Sequence, residues 1–71
     1  MNRVPVSSSN LASVGYDPER RILEVEFLDR SVYQYLSVPD YIYRGLMSAN
    51  SHGSYLDSHV KKAGYSHRRV M

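Results

Sequence analysis

The spacing of apolar residues changes period near the middle of the chain. From Leu11 onward, Ala12, Val14 and Tyr16 alternate with Ser13 and Gly15, the period-2 pattern of a half-buried strand. Asp17-Pro18-Glu19-Arg20 then supplies a turn with Pro at its second position. Between Arg21 and Leu28 the alternation is strongest, with Leu23, Val25 and Phe27 on one face and Glu24 and Glu26 on the other. After the polar break Asp29-Arg30-Ser31, the stretch Val32-Tyr33-Gln34-Tyr35-Leu36 is rich in residues that favour strands. Three consecutive strands joined by short turns form an antiparallel meander.

Past Pro39 the period becomes helical. Proline fixes φ and lacks an N–H, which suits a first helical turn, and Asp40 beside it favours the positive end of the helix dipole. Ile42, Leu46 and Ala49, widened by Tyr43 and Met47, predict an amphipathic helix over residues 39–49. Ser51 can cap a second helix whose stripe is Tyr55, Leu56, Val60 and Ala63, and Gly64 ends it. The first ten residues, with Pro5 and three consecutive Ser, read as a flexible arm. The closing YSHRRVM fits either a short edge strand or a frayed tail. The expected architecture is α+β: a three-stranded antiparallel meander covered on one face by two α-helices. It occupies residues 11–65, between an arm at 1–10 and a basic tail at 66–71.

Tyr33 and Tyr35 share a face because residues two apart on a strand point the same way. A two-residue hairpin loop sets Tyr33 opposite Glu26 and leaves both rings outside. A three-residue loop sets Tyr33 opposite Phe27 and Tyr35 opposite Val25, with both rings in the core and Gln34 outside. Burying a Gln amide without partners costs roughly 1–3 kcal/mol, whereas a Tyr ring gains from burial if its hydroxyl reaches the rim. The core-facing register is therefore expected, with Tyr33 and Tyr35 as buttresses of the interior.

Composition narrows the function classes. Seventy-one residues, 42% of them hydrophobic and 23% charged, suffice for one small core. With no Cys there is no disulfide framework, thiolate zinc site or cysteine nucleophile. The short apolar runs predict neither a membrane span nor a signal segment, which points to a cytoplasmic, soluble protein. Charge is uneven: residues 1–57 carry five Lys/Arg and all seven acids, while residues 58–71 carry Lys61, Lys62, Arg68 and Arg69 with no acid. Such an end can neutralise phosphates, and Tyr65 between the two basic pairs adds a ring on which a base could stack.

The remaining chemistry is sparse. His52 and His59 stand seven apart, whereas a helical metal pair uses i,i+3 or i,i+4. No Gly-x-Ser-x-Gly elbow or glycine-rich phosphate loop occurs. A domain this small also leaves little volume for a substrate pocket. Neither catalysis, a metal nor a cofactor is expected.

Several motifs in order, Ser7-Ser8, Val14-Gly15-Tyr16-Asp17, Leu23-x-Val25-x-Phe27, Val32-Tyr33-x-Tyr35, Val38-Pro39, Tyr43-x-x-Leu46, Ala49-x-Ser51-x-Gly53-x-Tyr55, then Val60 and Tyr65, resemble the KTSC domain. That small family is named for its occurrence at the C-terminus of some lysyl-tRNA synthetases, and it also occurs as short free-standing bacterial and phage proteins. Tyr-x-Tyr is its hallmark, and Arg30 stands where the family tends to have Gly. The resemblance implies no catalytic residues and suggests RNA binding, nominating Tyr33 and Tyr35. Together these readings lead to a non-catalytic module that binds RNA through Lys61, Lys62, Tyr65, Arg68 and Arg69. The rival is a protein-interaction module that joins a larger phage or translation-related assembly through a sheet edge or helix groove. Oligomeric state is not legible.

Overall fold

In the computed structural model, which describes all 71 residues, four strands come first, the helices follow where the period changes, and a fifth strand closes the chain. Its strands are β1 (Arg3–Pro5), β2 (Leu11–Asp17), β3 (Ile22–Phe27), β4 (Val32–Tyr35) and β5 (His67–Arg69). All neighbours pair antiparallel in the order β1-β2-β3-β4-β5. The expected three-stranded sheet thus has five strands. The supposed arm supplies β1, which pairs Val4 with Val14, and the basic tail supplies β5, which pairs Arg68 with Gln34. Neither three-residue segment has a periodicity of its own. Each is held by a strand that would otherwise expose unpaired backbone groups.

Turn chemistry sets the registers. Asp17 Oδ1 accepts from the backbone N–H groups of Glu19 and Arg20 at 3.0 and 3.2 Å, and Arg21 turns back with φ 57°. In the next hairpin the Phe27 N–H donates to the Ser31 carbonyl (2.9 Å) and the Arg30 N–H to the Phe27 carbonyl (2.9 Å). The loop is therefore Leu28-Asp29-Arg30, with Arg30 in the left-handed region at φ 75°. It has three residues, as expected, but begins one residue earlier. Tyr33 consequently faces Val25, and Tyr35 faces Leu23. Because the pairing moves by two, the rings keep the expected face.

A bulge in β2 corrects the simple alternation there. Leu11 pairs with Phe27 and Ser13 with Glu26, so Ala12 is an extra residue. Leu11 and Val14 both reach the core, and Ser13 turns to the opposite face and donates to Glu26 at 2.8 Å.

Helices α1 (Asp40–Ser48) and α2 (His52–Leu56) cover the face bearing Leu23 and Val25. Ser51 caps α2 by accepting from the Ser54 N–H at 3.3 Å. The helix continues as a widened turn, Asp57–Lys61, in which the Lys62 N–H reaches the Asp57 carbonyl five residues back. Gly64, at φ 86°, ends it. Ile42, Leu46, Leu56 and Val60 meet Leu11, Val14, Leu23, Val25, Tyr35 and Val38 in one core, whereas Ala63, expected in the stripe, is exposed. The strand-to-helix passage is pinned twice: Tyr16 stacks on Tyr43 at 4.9 Å, and its hydroxyl donates to the Val38 carbonyl at 2.5 Å. No helix is long and apolar enough to cross a membrane.

Candidate functional site: an aromatic cleft beside the last strand

Strand geometry brings the hallmark tyrosines to the end of the helix-covered face. Tyr35 is buried in the core, while Tyr33, two pairings nearer the hairpin, packs on the core and remains half-buried. In β5, His67 pairs with Tyr35 and Arg69 with Tyr33, so both lie on this face and Arg68 points to the other. The His67 ring lies 5.7 Å from Tyr35 and 6.2 Å from Tyr33, and Phe27 meets Tyr33 edge-on at 5.9 Å. Lys61, carried by the widened turn, sets its Nζ 5.1 Å from the Phe27 ring centroid, a cation–π contact worth roughly 0.5–1 kcal/mol at an exposed site.

Phe27, Tyr33, Tyr35, Lys61 and His67 line an open cleft of about 640 Å³, together with Asn10, Asp29 and Ser31. Pockets of ~300–1,000 Å³ hold small molecules or one unit of a polymer. The chain therefore has more concave volume than its length suggests. Asn10 is held by its neighbours: its carbonyl accepts from the Leu28 N–H at 3.0 Å, and its side chain lies where a Cβ on Gly53 would stand.

The electrostatics of the cleft are mixed. Burial pushes the Tyr35 hydroxyl above its ordinary pKa, with a smaller contribution from Tyr33, so the phenol stays neutral as a donor and acceptor. Asp29 goes the other way. The Ser31 hydroxyl (2.6 Å) and backbone N–H (3.0 Å) both donate to its Oδ1, and they hold the carboxyl below the usual range, with Arg69 acting in the same direction.

The five basic-end residues do not form one patch. Lys61 lines the cleft, and Arg69 shares its face while donating to the Met71 carbonyl at 3.0 Å. Lys62 pairs with Asp57 at 3.2 Å, and Tyr65 is half-buried against the core. Arg68 lies across the sheet, where its guanidinium donates to Gln34 Oε1 at 3.0 and 2.8 Å. Of the histidines, His52 is occupied: its Nδ1 lies 2.8 Å from the Leu46 carbonyl, which can only accept. His59 packs against Tyr55 at 4.3 Å. No local pattern marks Phe27, Asp29, Asn10 and His67 as cleft residues. Phe27 was readable as inward-facing, but His67 belonged to a segment whose partner strand was unknown.

Comparison with known proteins agrees with this architecture over the whole chain. The KTSC domain model matches residues 7–65. An uncharacterized protein of Stutzerimonas stutzeri strain A1501 is 41% identical over 70 residues, 99% of each chain. A protein of Tsukamurella paurometabola is 37% identical over 57 residues, 80% of this chain and 85% of that one. Among solved structures, the crystal structure of a KTSC domain protein from Yersinia pestis superposes with a TM-score of 0.92 at 41% identity, covering 99% of this chain and 97% of the other.

Proposed function

This chain belongs to the KTSC domain family, and from that premise we propose that it is a non-catalytic cytoplasmic module that binds single-stranded RNA, taking one unpaired base into the aromatic cleft. The observation that carries the reading is the convergence of Tyr33, Tyr35 and His67 on one cleft with a lysine, Lys61, at its wall. Single-stranded RNA is recognised by stacking unpaired bases on aromatic rings while cations meet the backbone. Lys61 and Arg69 are the cations on this face. In this reading Lys62, Tyr65 and Arg68 have secondary roles, because Lys62 is ion-paired, Tyr65 is packed and Arg68 faces away.

Fluorescence anisotropy with short labelled single-stranded RNA at low ionic strength tests the proposal. Binding that weakens steeply with added salt, and weakens again on Lys61→Ala or Arg69→Ala, is the expected result. No detectable binding at low ionic strength overturns it, and a partner that survives nuclease treatment in a pull-down would favour a protein ligand instead.

A further inference from the structure

We infer that the cleft selects guanine among the four RNA bases, with Asp29 as the residue that reads it. The inference rests on the RNA reading above and extends it from a ligand class to a base. Asp29 lies at the hairpin end of the cleft lined by Tyr33, Tyr35 and His67. Its Oδ1 is committed to the Ser31 N–H and O–H at 3.0 and 2.6 Å. Those two bonds fix the plane of the carboxylate. Oδ2 has no hydrogen bond or ion pair within the protein, and Asp29 is exposed, so that oxygen is free to accept from a ligand.

A carboxylate with a free oxygen accepts hydrogens and offers none. Only guanine presents two adjacent donors, N1–H and N2–H, along its Watson–Crick edge. Adenine and cytosine each set an acceptor nitrogen beside their amino group, and uracil flanks its N3–H with two carbonyl oxygens, so each offers the free oxygen one hydrogen beside a lone pair where guanine offers two. Unpaired bases are read on this edge while their faces stack on aromatic rings. The carboxylate is ionised at neutral pH, and the hydrogen bonds from Ser31 lower its pKa further. Asp29 opposes phosphate attraction and acts electrostatically on Arg69, so its role is read from base preference and not from overall affinity.

The test compares short oligouridylates carrying a single central G, A or C, and uridine alone, on the intact protein. About tenfold tighter binding of the G-containing strand is expected. Replacing that guanine by inosine, which lacks the N2 amine, should remove much of the gain. Asp29→Asn keeps an Oδ1 acceptor for Ser31 and puts an NH2 donor in place of the second oxygen. It should abolish the preference while leaving the thermal midpoint close to that of the parent. Equal binding of all four strands would overturn the inference and leave the RNA reading standing, as would a guanine preference untouched by Asp29→Asn. Absence of binding by every strand would remove the RNA reading, and the base assignment with it.

Discussion

Arg3 crosses strand β2 to reach Glu24 on β3, with Nη1 at 2.7 Å from Oε2, and the strand between them contributes Gly15 at the crossing point. Glu24 Oε1 also accepts from Gln34 Nε2 at 2.8 Å, and Gln34 Oε1 accepts from Arg68. A polar ladder therefore runs across the face without helices and ties both terminal strands to the central hairpin. Glu24 is a largely buried carboxylate, with its side chain 11% exposed, so its two partners matter. Arg3→Ala leaves Gln34 as its one partner. It should cost about 1–3 kcal/mol, read as a lower urea midpoint together with faster hydrogen exchange in β1.

Gly15 is the complementary test of the same crossing. A Cβ there would stand 2.8 Å from the Asn2 carbonyl oxygen and 3.1 Å from Arg3 Cγ. The first is backbone and cannot rotate away. Gly15→Ala should therefore displace β1 at a cost of about 1–3 kcal/mol, the usual range for overpacking. Loss of protection for the Val4 amide, with β3 and β4 amides still protected, would be its signature in hydrogen exchange.

Arg30 holds the left-handed position of the second hairpin at φ 75°, where an L-residue with a Cβ is strained by roughly 1–2 kcal/mol. Gly removes that strain but loses more chain entropy on folding, about 0.5–1 kcal/mol. Arg30→Gly should thus stabilise by about 0.5–1 kcal/mol, a rise in Tm of a few degrees for a domain of this size. A melt by circular dichroism decides it; a fall in Tm would mean that the Arg30 side chain makes a compensating contact.

Tyr16, Tyr35 and Tyr55 all have hydroxyl pKa values raised above 10.0, first by desolvation. Above pH 10 the unfolded chain ionises these groups while the folded chain keeps them neutral. The unfolded state then binds fewer protons, and stability falls as pH rises. That contribution is intact below pH 10 and is lost as pH climbs through the folded-state values. Tyr35→Phe removes one such group, so its urea midpoint should decline less between pH 9 and pH 11 than that of the parent.

Binding should separate by face. Each phosphate neutralised on a single strand contributes about −0.7 to the slope of log K against log salt. Lys61→Ala, on the cleft face, should reduce that slope by about this amount. Arg68→Ala, across the sheet, should leave it near the parental value while lowering stability slightly through the lost bonds to Gln34. Equal effects of the two would mean that the ligand lies along the edge of β5 and not in the cleft.

Much of this was legible because it is local. Alternation in Leu23-Glu24-Val25-Glu26-Phe27 defined the central strand and its faces, and the unfavourable burial of a Gln amide chose the side for Tyr33 and Tyr35. Pro39, Ser51 and Gly64 marked helix limits through backbone constraints that each residue carries by itself. Even the hairpin loop length was correct; its placement was not. Asp29 binds Ser31 and Arg30 accepts a positive φ, and together they close the loop one residue earlier than the polar break suggested.

What only the tertiary structure decided involves partners distant in sequence. Strands β1 and β5 are three residues each, too short to display a period, and they exist because Val14 and Gln34 offer backbone partners and Glu24 and Gln34 offer side-chain ones. The same holds for the cleft. His67 reaches Tyr33 and Tyr35 across more than thirty positions of sequence, and Lys61 reaches Phe27 from the far end of the second helix. Periodicity assigns a residue to a face of its own element, but which elements meet depends on closing long loops against an entropy cost that no single segment reveals.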